Sequence, residues 1–162
     1  MTLNKIFKNT LILISACLLL SACATQKTVT TDGSQMQGDV YTGTDTVKEL
    51  APGVPDRVFF ATNESILTTA SRETLRKQAE YLRKNSSMNI VLEGHADERG
   101  TREYNLALGE RRANAAKDYL MTYGISASRI SVISYGKERP VDSGSNTLAW
   151  SKNRRSVTVK AN

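Results

Sequence analysis

Apolar residues recur along this 162-residue chain at two different spacings. Residues 57–60 (Arg-Val-Phe-Phe) and 89–92 (Asn-Ile-Val-Leu) are short apolar runs of strand length. Successive apolar residues in the second predict a strand buried on both faces. Between them Leu75, Ala79 and Leu82 fall at i, i+4 and i+7. That spacing predicts an amphipathic helix, capped by Thr68 or Thr69 and running to about Lys84. A second stripe of Gly109, Ala113, Ala116, Leu120 and Tyr123 predicts a helix over 103–123, with Gly124 as its stop. Residues 130–135 and 156–159 alternate as strands, and 146–150 are suited to a short helix between them. Strands alternating with helices predict an α+β domain. Its mixed β-sheet has about four strands, and two main helices pack on it in βαβαβ order.

Residues 24–50 break this pattern. They are rich in Thr, Gln, Gly, Ser and Asp and show no apolar period, so they bury too little to offset chain entropy. They read as a flexible tether, with a root-mean-square span of roughly 30 Å and a reach of about 90 Å. Pro52-Gly-Val-Pro55 marks the boundary of the domain.

The start of the chain has its own organisation. Lys5 and Lys8 precede an apolar run over 11–20 and then Ser21-Ala-Cys23. This is the plan of a secretory signal, and the run is shorter than the roughly 20 residues a membrane span needs. The tetrad Leu20-Ser-Ala-Cys23 resembles the lipobox of bacterial lipoproteins, which implies lipidation of Cys23 and cleavage before it. The chain then divides into residues 1–22 as cleaved signal, 23–53 as lipidated cysteine and tether, and 54–162 as the folded domain. Cleavage leaves 162 − 22 = 140 residues, enough for one domain and its tether. Of the two cysteines, Cys17 leaves with the signal and Cys23 carries lipid, so neither a disulfide nor a thiolate metal site is expected. The formal charge of +6 falls to +4 with the two lysines lost. That excess suits an anionic polymer and equally suits plain solubility.

The candidate chemistry lies between the second strand and the second main helix, in Glu93-Gly-His-Ala-Asp-Glu-Arg-Gly-Thr-Arg-Glu-Tyr-Asn105. His95 is the only histidine, too few for a zinc site, and it has no Ser or Cys nucleophile in a recognisable arrangement. No metal, cofactor or catalytic residue is expected, and an enzyme acting on its ligand is disfavoured. Taken alone, Asp97 suits a turn cap or a partner for Arg99, and Arg112 a solvated helix charge or an ion-pair partner. Gly94 and Gly100 make a folded-back loop path accessible.

In register, these residues resemble the signature of the OmpA-like peptidoglycan-binding domains, and most closely its peptidoglycan-associated lipoprotein (Pal) branch. The resemblance spans about 57–160. It implies a ligand in the peptide stem of peptidoglycan, held at the ammonium and carboxylate of diaminopimelate by Asp97 and Arg112. A guanidinium fork grips a carboxylate through two parallel bonds, which lysine cannot do. A helix beginning near Glu103 places Arg112 about 13 Å along its axis, so the loop must fold back for the two to meet. The resemblance adds Phe60 as an aromatic wall and Ala61 where the family often has an acid. Tyr104 is in register with the motif, and Asn105 and Leu108 brace the loop or touch the ligand's edge. Arg111 reads as structural or solvated, Trp150 as a core anchor, and Asn153-Arg154-Arg155 as serving the fold. The resemblance further implies an outer-membrane lipoprotein facing the periplasm, with Ala24 after the lipidated cysteine favouring that membrane. Its partners would be the wall and the Tol system, chiefly TolB, and not nucleic acid.

Overall fold

The computed structural model describes residues 36–161. The signal, Cys23 and the first part of the expected tether lie outside the described residues. The central sheet has four strands. β5 is Arg57–Phe59, β6 Ile90–His95, β7 Ile130–Gly136 and β8 Arg155–Lys160. β8 lies between β5 and β6 and is antiparallel to both, while β6 and β7 run parallel. α1 (Thr69–Lys84) joins β5 to β6, α2 (Arg102–Thr122) joins β6 to β7, and the short α3 (Thr147–Asn153) precedes β8. This is the α+β arrangement that the apolar spacing predicts.

Each helix starts where its cap allows. The Thr68 hydroxyl accepts the Ser71 N–H at 3.1 Å, and the Thr101 hydroxyl accepts the Tyr104 N–H at 3.2 Å. α2 ends at Gly124, whose φ of 84° is open to glycine at little cost. The predicted stripes meet in one core, in which Leu75, Ala79 and Leu82 of α1 and Ala113, Ala116 and Leu120 of α2 pack with Val58, Ile90 and Leu92. The expectation of burial on both faces of β6 is met on one only. Val91 and Glu93, on the opposite face, are half-buried.

The largest difference lies before β5. Residues expected to be a structureless tether fold from Met36 onward into two small hairpins. They are β1 (Met36–Gln37) with β2 (Val40–Tyr41), and β3 (Glu49–Ala51) with β4 (Val54–Pro55). Tyr41 is 2 % exposed, with its ring edge-on to Phe59 at a centroid distance of 4.8 Å. Leu50 is buried, Asp56 accepts the Lys48 N–H, and Asp45 pairs with Lys152 at 2.8 Å. Among the described residues, folded structure thus begins at Met36, ahead of the boundary expected at residues 53–54. Composition concealed this because one aromatic anchor, Tyr41, supplies much of the burial in an otherwise polar stretch.

That packing makes the segment part of the domain's stability. Replacing Tyr41 by Ala should cost about 3 kcal/mol, as aromatic truncations in cores do, and lower the melting temperature by on the order of 10 °C. A chain beginning at Leu50 should lose at least as much. Thermal unfolding of both against the intact protein checks this, and equal midpoints would mean that the segment does not stabilise the domain.

Candidate functional site

Two glycines set the distance between β6 and α2. A side chain built at Gly94 would lie 1.8 Å from the Gly109 carbonyl oxygen, and one at Gly109 would lie 2.9 Å from the Gly94 oxygen. Gly94 thus serves close helix–strand approach and not the loop's bend, because its φ is not among the positive ones. Gly100, at φ 90°, does supply the turn. With α2 this close, Arg112 reaches across the end of β6 to the loop after β5.

Arg112 has no exposed surface, so its reading as a solvated charge is excluded. Its Nη1 donates to the His95 carbonyl at 2.8 Å, its Nε to Glu64 at 2.8 Å and its Nη2 to Ala61 at 3.0 Å. Three of the five N–H groups are used in this way. Asn63 sits in the left-handed region at φ 58°, within a turn closed by the Glu64 N–H on the Ala61 carbonyl. Phe60 is fully buried with its ring 5.4 Å from the guanidinium carbon, so it supports Arg112 and is not an open wall. Burial, reinforced by the charge of Arg154, lowers Arg112 to about 10, which leaves it charged at neutral pH.

Asp97 is held by two other arginines. Arg99 grips both carboxylate oxygens, at 3.1 and 2.7 Å, and Arg154 Nη1 approaches at 3.3 Å. Burial opposes the charged carboxylate. The bonds from Arg99 and the arginine charges outweigh it, and the group is held below the usual carboxylate range. The predicted pairing with Arg99 is therefore present. Arg154, expected to serve only the fold, also donates to the Phe60 carbonyl at 3.1 Å and to the Asp39 carbonyl. Asp39, on the turn between β1 and β2, in turn accepts the Thr62 N–H at 2.6 Å.

The remaining predicted residues separate into supports and surface. Asn105 is buried and donates to the Arg99 carbonyl at 2.8 Å, so it braces the loop. Leu108 is buried, Tyr104 and Arg111 are exposed, and Ala61 is half-buried at the lip of the turn. Trp150 is not a core anchor. It is half-buried, its indole N–H donates to Glu98 at 2.8 Å, and Arg99 lies 4.3 Å over its ring. Lys137 completes the grip on the loop by donating to the Glu98 and Gly100 carbonyls. Asp39, Arg154 and the Trp150–Glu98 clip escaped the sequence reading. The Asn153-Arg154-Arg155 run was the one visible signal for any of them.

The site therefore gathers a carboxylate, two buried guanidinium groups and the backbone of residues 60–64 in one small volume. Among the described residues no group of His, Cys, Asp and Glu could hold a metal ion, and no helix is long and apolar enough to cross a membrane. The sequence pattern of the OmpA family matches residues 59–154. The chain belongs to the OmpA family, in its peptidoglycan-associated lipoprotein branch. A protein of that name from Mesorhizobium japonicum is 43 % identical over 150 residues, 92 % of this chain and 89 % of that one. One from Agrobacterium fabrum is 40 % identical over 162 residues, 97 % of this chain and 90 % of its own. The crystal structure of the peptidoglycan-associated lipoprotein from Burkholderia pseudomallei superposes with a TM-score of 0.64 at 35 % identity. That match covers 65 % of this chain and 90 % of the other. Asp97 in the loop, Arg112 on α2 and Arg154 just before the last strand fall within the matched segment, while Asp39 lies before it.

Two outcomes follow from the burial of these groups. Arg112→Ala would strand three carbonyls, at about 1–3 kcal/mol for each one left unsatisfied. Unfolding in urea should show a loss of roughly 3–5 kcal/mol, where a solvated residue would cost almost nothing. His95 is also buried, and its pKa is lowered to about 3 by burial and then by the charges of Arg155, Arg57 and Arg139. Between its ordinary 6.5 and about 3 the unfolded chain holds a proton that the folded one refuses. Stability should therefore fall as pH drops below 6.5, by up to about 1.4 kcal/mol per pH unit. In His95→Gln that part of the slope should disappear, which urea midpoints at pH 7, 6 and 5 measure.

Proposed function

We propose that this protein binds peptidoglycan non-covalently at the diaminopimelate of the stem peptide, and ties the outer membrane to the wall through lipid on Cys23. The observation that carries this is the convergence of Arg112 and Arg154 on the backbone of residues 60–64, with Asp97 bonded to Arg154 beside them. The free end of diaminopimelate carries an ammonium and a carboxylate on one carbon. Asp97 answers the first. The two N–H groups of Arg112 not used on carbonyls, with the Thr62 amide, answer the second. The acid that the family often has at position 61 is Ala61 here, so the backbone carries more of that contact.

The role is binding and not catalysis, with TolB and the Tol system as partners in envelope integrity and division. The relatives' names support the wall and the lipid. The Tol partners rest on the resemblance.

The test is sedimentation with purified sacculi. Asp97→Asn should bind at least about 30-fold more weakly, since truncating one member of a buried charged pair costs about 2–5 kcal/mol. Arg112→Lys should weaken binding while keeping more stability than Arg112→Ala. Walls with lysine in place of diaminopimelate keep the ammonium and lack the carboxylate, and should bind weakly. Equal binding to both walls would sink the assignment, and release of muropeptides would show an enzyme instead.

A further inference from the structure

The strap of residues 36–42, which composition assigns to a tether, ends inside the site. Its turn places the Asp39 carboxylate on the Thr62 N–H at 2.6 Å, with Arg154 Nη2 3.9 Å away. The Asp39 carbonyl accepts from the same Arg154 group. The Thr62 N–H is one of the donors assigned above to the ligand carboxylate, and Asp39 occupies it. On the other side of the site, the Arg99 guanidinium covers both oxygens of Asp97, which a ligand ammonium needs. Arg99 also reaches the Thr62 hydroxyl at 3.4 Å, so the two occupants flank one residue.

We propose that the protein fills its own binding site with a carboxylate from Asp39 and a cation from Arg99, and that ligand binding displaces the strap. This rests on the preceding assignment of the site and adds its regulation. Several features show that the occupants are replaceable. The Asp39 side chain is 44 % exposed and that of Arg99 is 42 % exposed, against 9 % for Asp97. β1 and β2 contribute only two residues each, so a short ladder holds the turn. The Trp150 face, 4.3 Å from the Arg99 guanidinium carbon, offers that cation a resting place when it leaves Asp97. Tyr41, two residues beyond Asp39, stays buried and keeps the strap beside the domain when the turn lifts. A site that must open before it binds shows an affinity reduced by its open fraction.

The experiment uses the full chain in detergent, with sacculi and free meso-diaminopimelate as probes. Asp39→Ala and Asp39→Asn should bind diaminopimelate sacculi more tightly than the unaltered protein, by about fivefold or more for Ala. Asn keeps an acceptor for the Thr62 N–H and should gain less. In the unaltered protein, meso-diaminopimelate should speed hydrogen exchange of residues 36–42 and leave α1 unchanged. This second measurement does not depend on how well the variants fold. Weaker or unchanged binding of both Asp39 variants, with Asp97→Asn still failing to bind, would overturn the self-occupancy and leave the site standing. Binding of the probe with exchange of the strap unaltered would overturn it as well. Should Asp97→Asn bind like the unaltered protein, the site assignment falls and this inference falls with it.

Discussion

One buried guanidinium joins the parts of the fold that make the site. Arg112 belongs to α2, and its three bonds end on the carbonyl closing β6 and on two carbonyls of the turn after β5. Those segments are not sequential, and the two strands are not adjacent, since β8 lies between them. The register of the sheet brings them to the same end, and Arg112 takes up the backbone polarity left where the ladders stop. A charge buried this completely is costly unless its donors are used, and three directed bonds are the compensation. The turn at Asn63 is shaped to offer two of the acceptors, so the loop and the arginine define each other.

Arg154 repeats the arrangement one strand away. It lies at the entry to β8, 1 % exposed, and ties Phe60, Asp97 and Asp39 together. Burial and then the charge of Arg154 lower the pKa of Arg112, burial lowers that of Arg154, and Asp97 is the near carboxylate that offsets both. Three cations (Arg99, Arg112 and Arg154) meet here against the carboxylates of Asp39 and Asp97. An anionic group entering here relieves repulsion already present. This favours a ligand carboxylate more than the protein's modest overall charge does.

The α+β order, both main helices and the threonine cap of the first were legible because a 3.6-residue apolar period and a capping threonine are local signals. Asp97 and Arg112 were singled out together only through the resemblance, since no local rule shows that a charge at position 112 is buried against carbonyls at positions 61, 64 and 95. The misreadings share a cause. Tyr41 anchors a polar stretch, Trp150 grips a loop and Gly94 admits a helix, and each depends on what lies opposite in space. Composition averages over neighbours in sequence and cannot register one aromatic that meets Phe59 across a sheet edge.

The loop that carries Asp97 is positioned from both sides by its own neighbours. Asn105 holds the Arg99 carbonyl from beneath, and Lys137 holds the carbonyls on either side of Arg99. Trp150 holds Glu98 and carries the Arg99 guanidinium on its face. The backbone of residues 98–100 is thereby fixed while the Arg99 side chain remains exposed. Exchange at the site can then occur among side chains alone, with no rearrangement of the loop that carries Asp97. Asp97 and the Thr62 amide, two of the groups proposed to meet a ligand, are already satisfied within the protein, so binding replaces one set of charged bonds with another. Its free energy is the difference between the two sets. The exposure of the outgoing charges, and not the strength of any single incoming bond, sets how favourable that difference is.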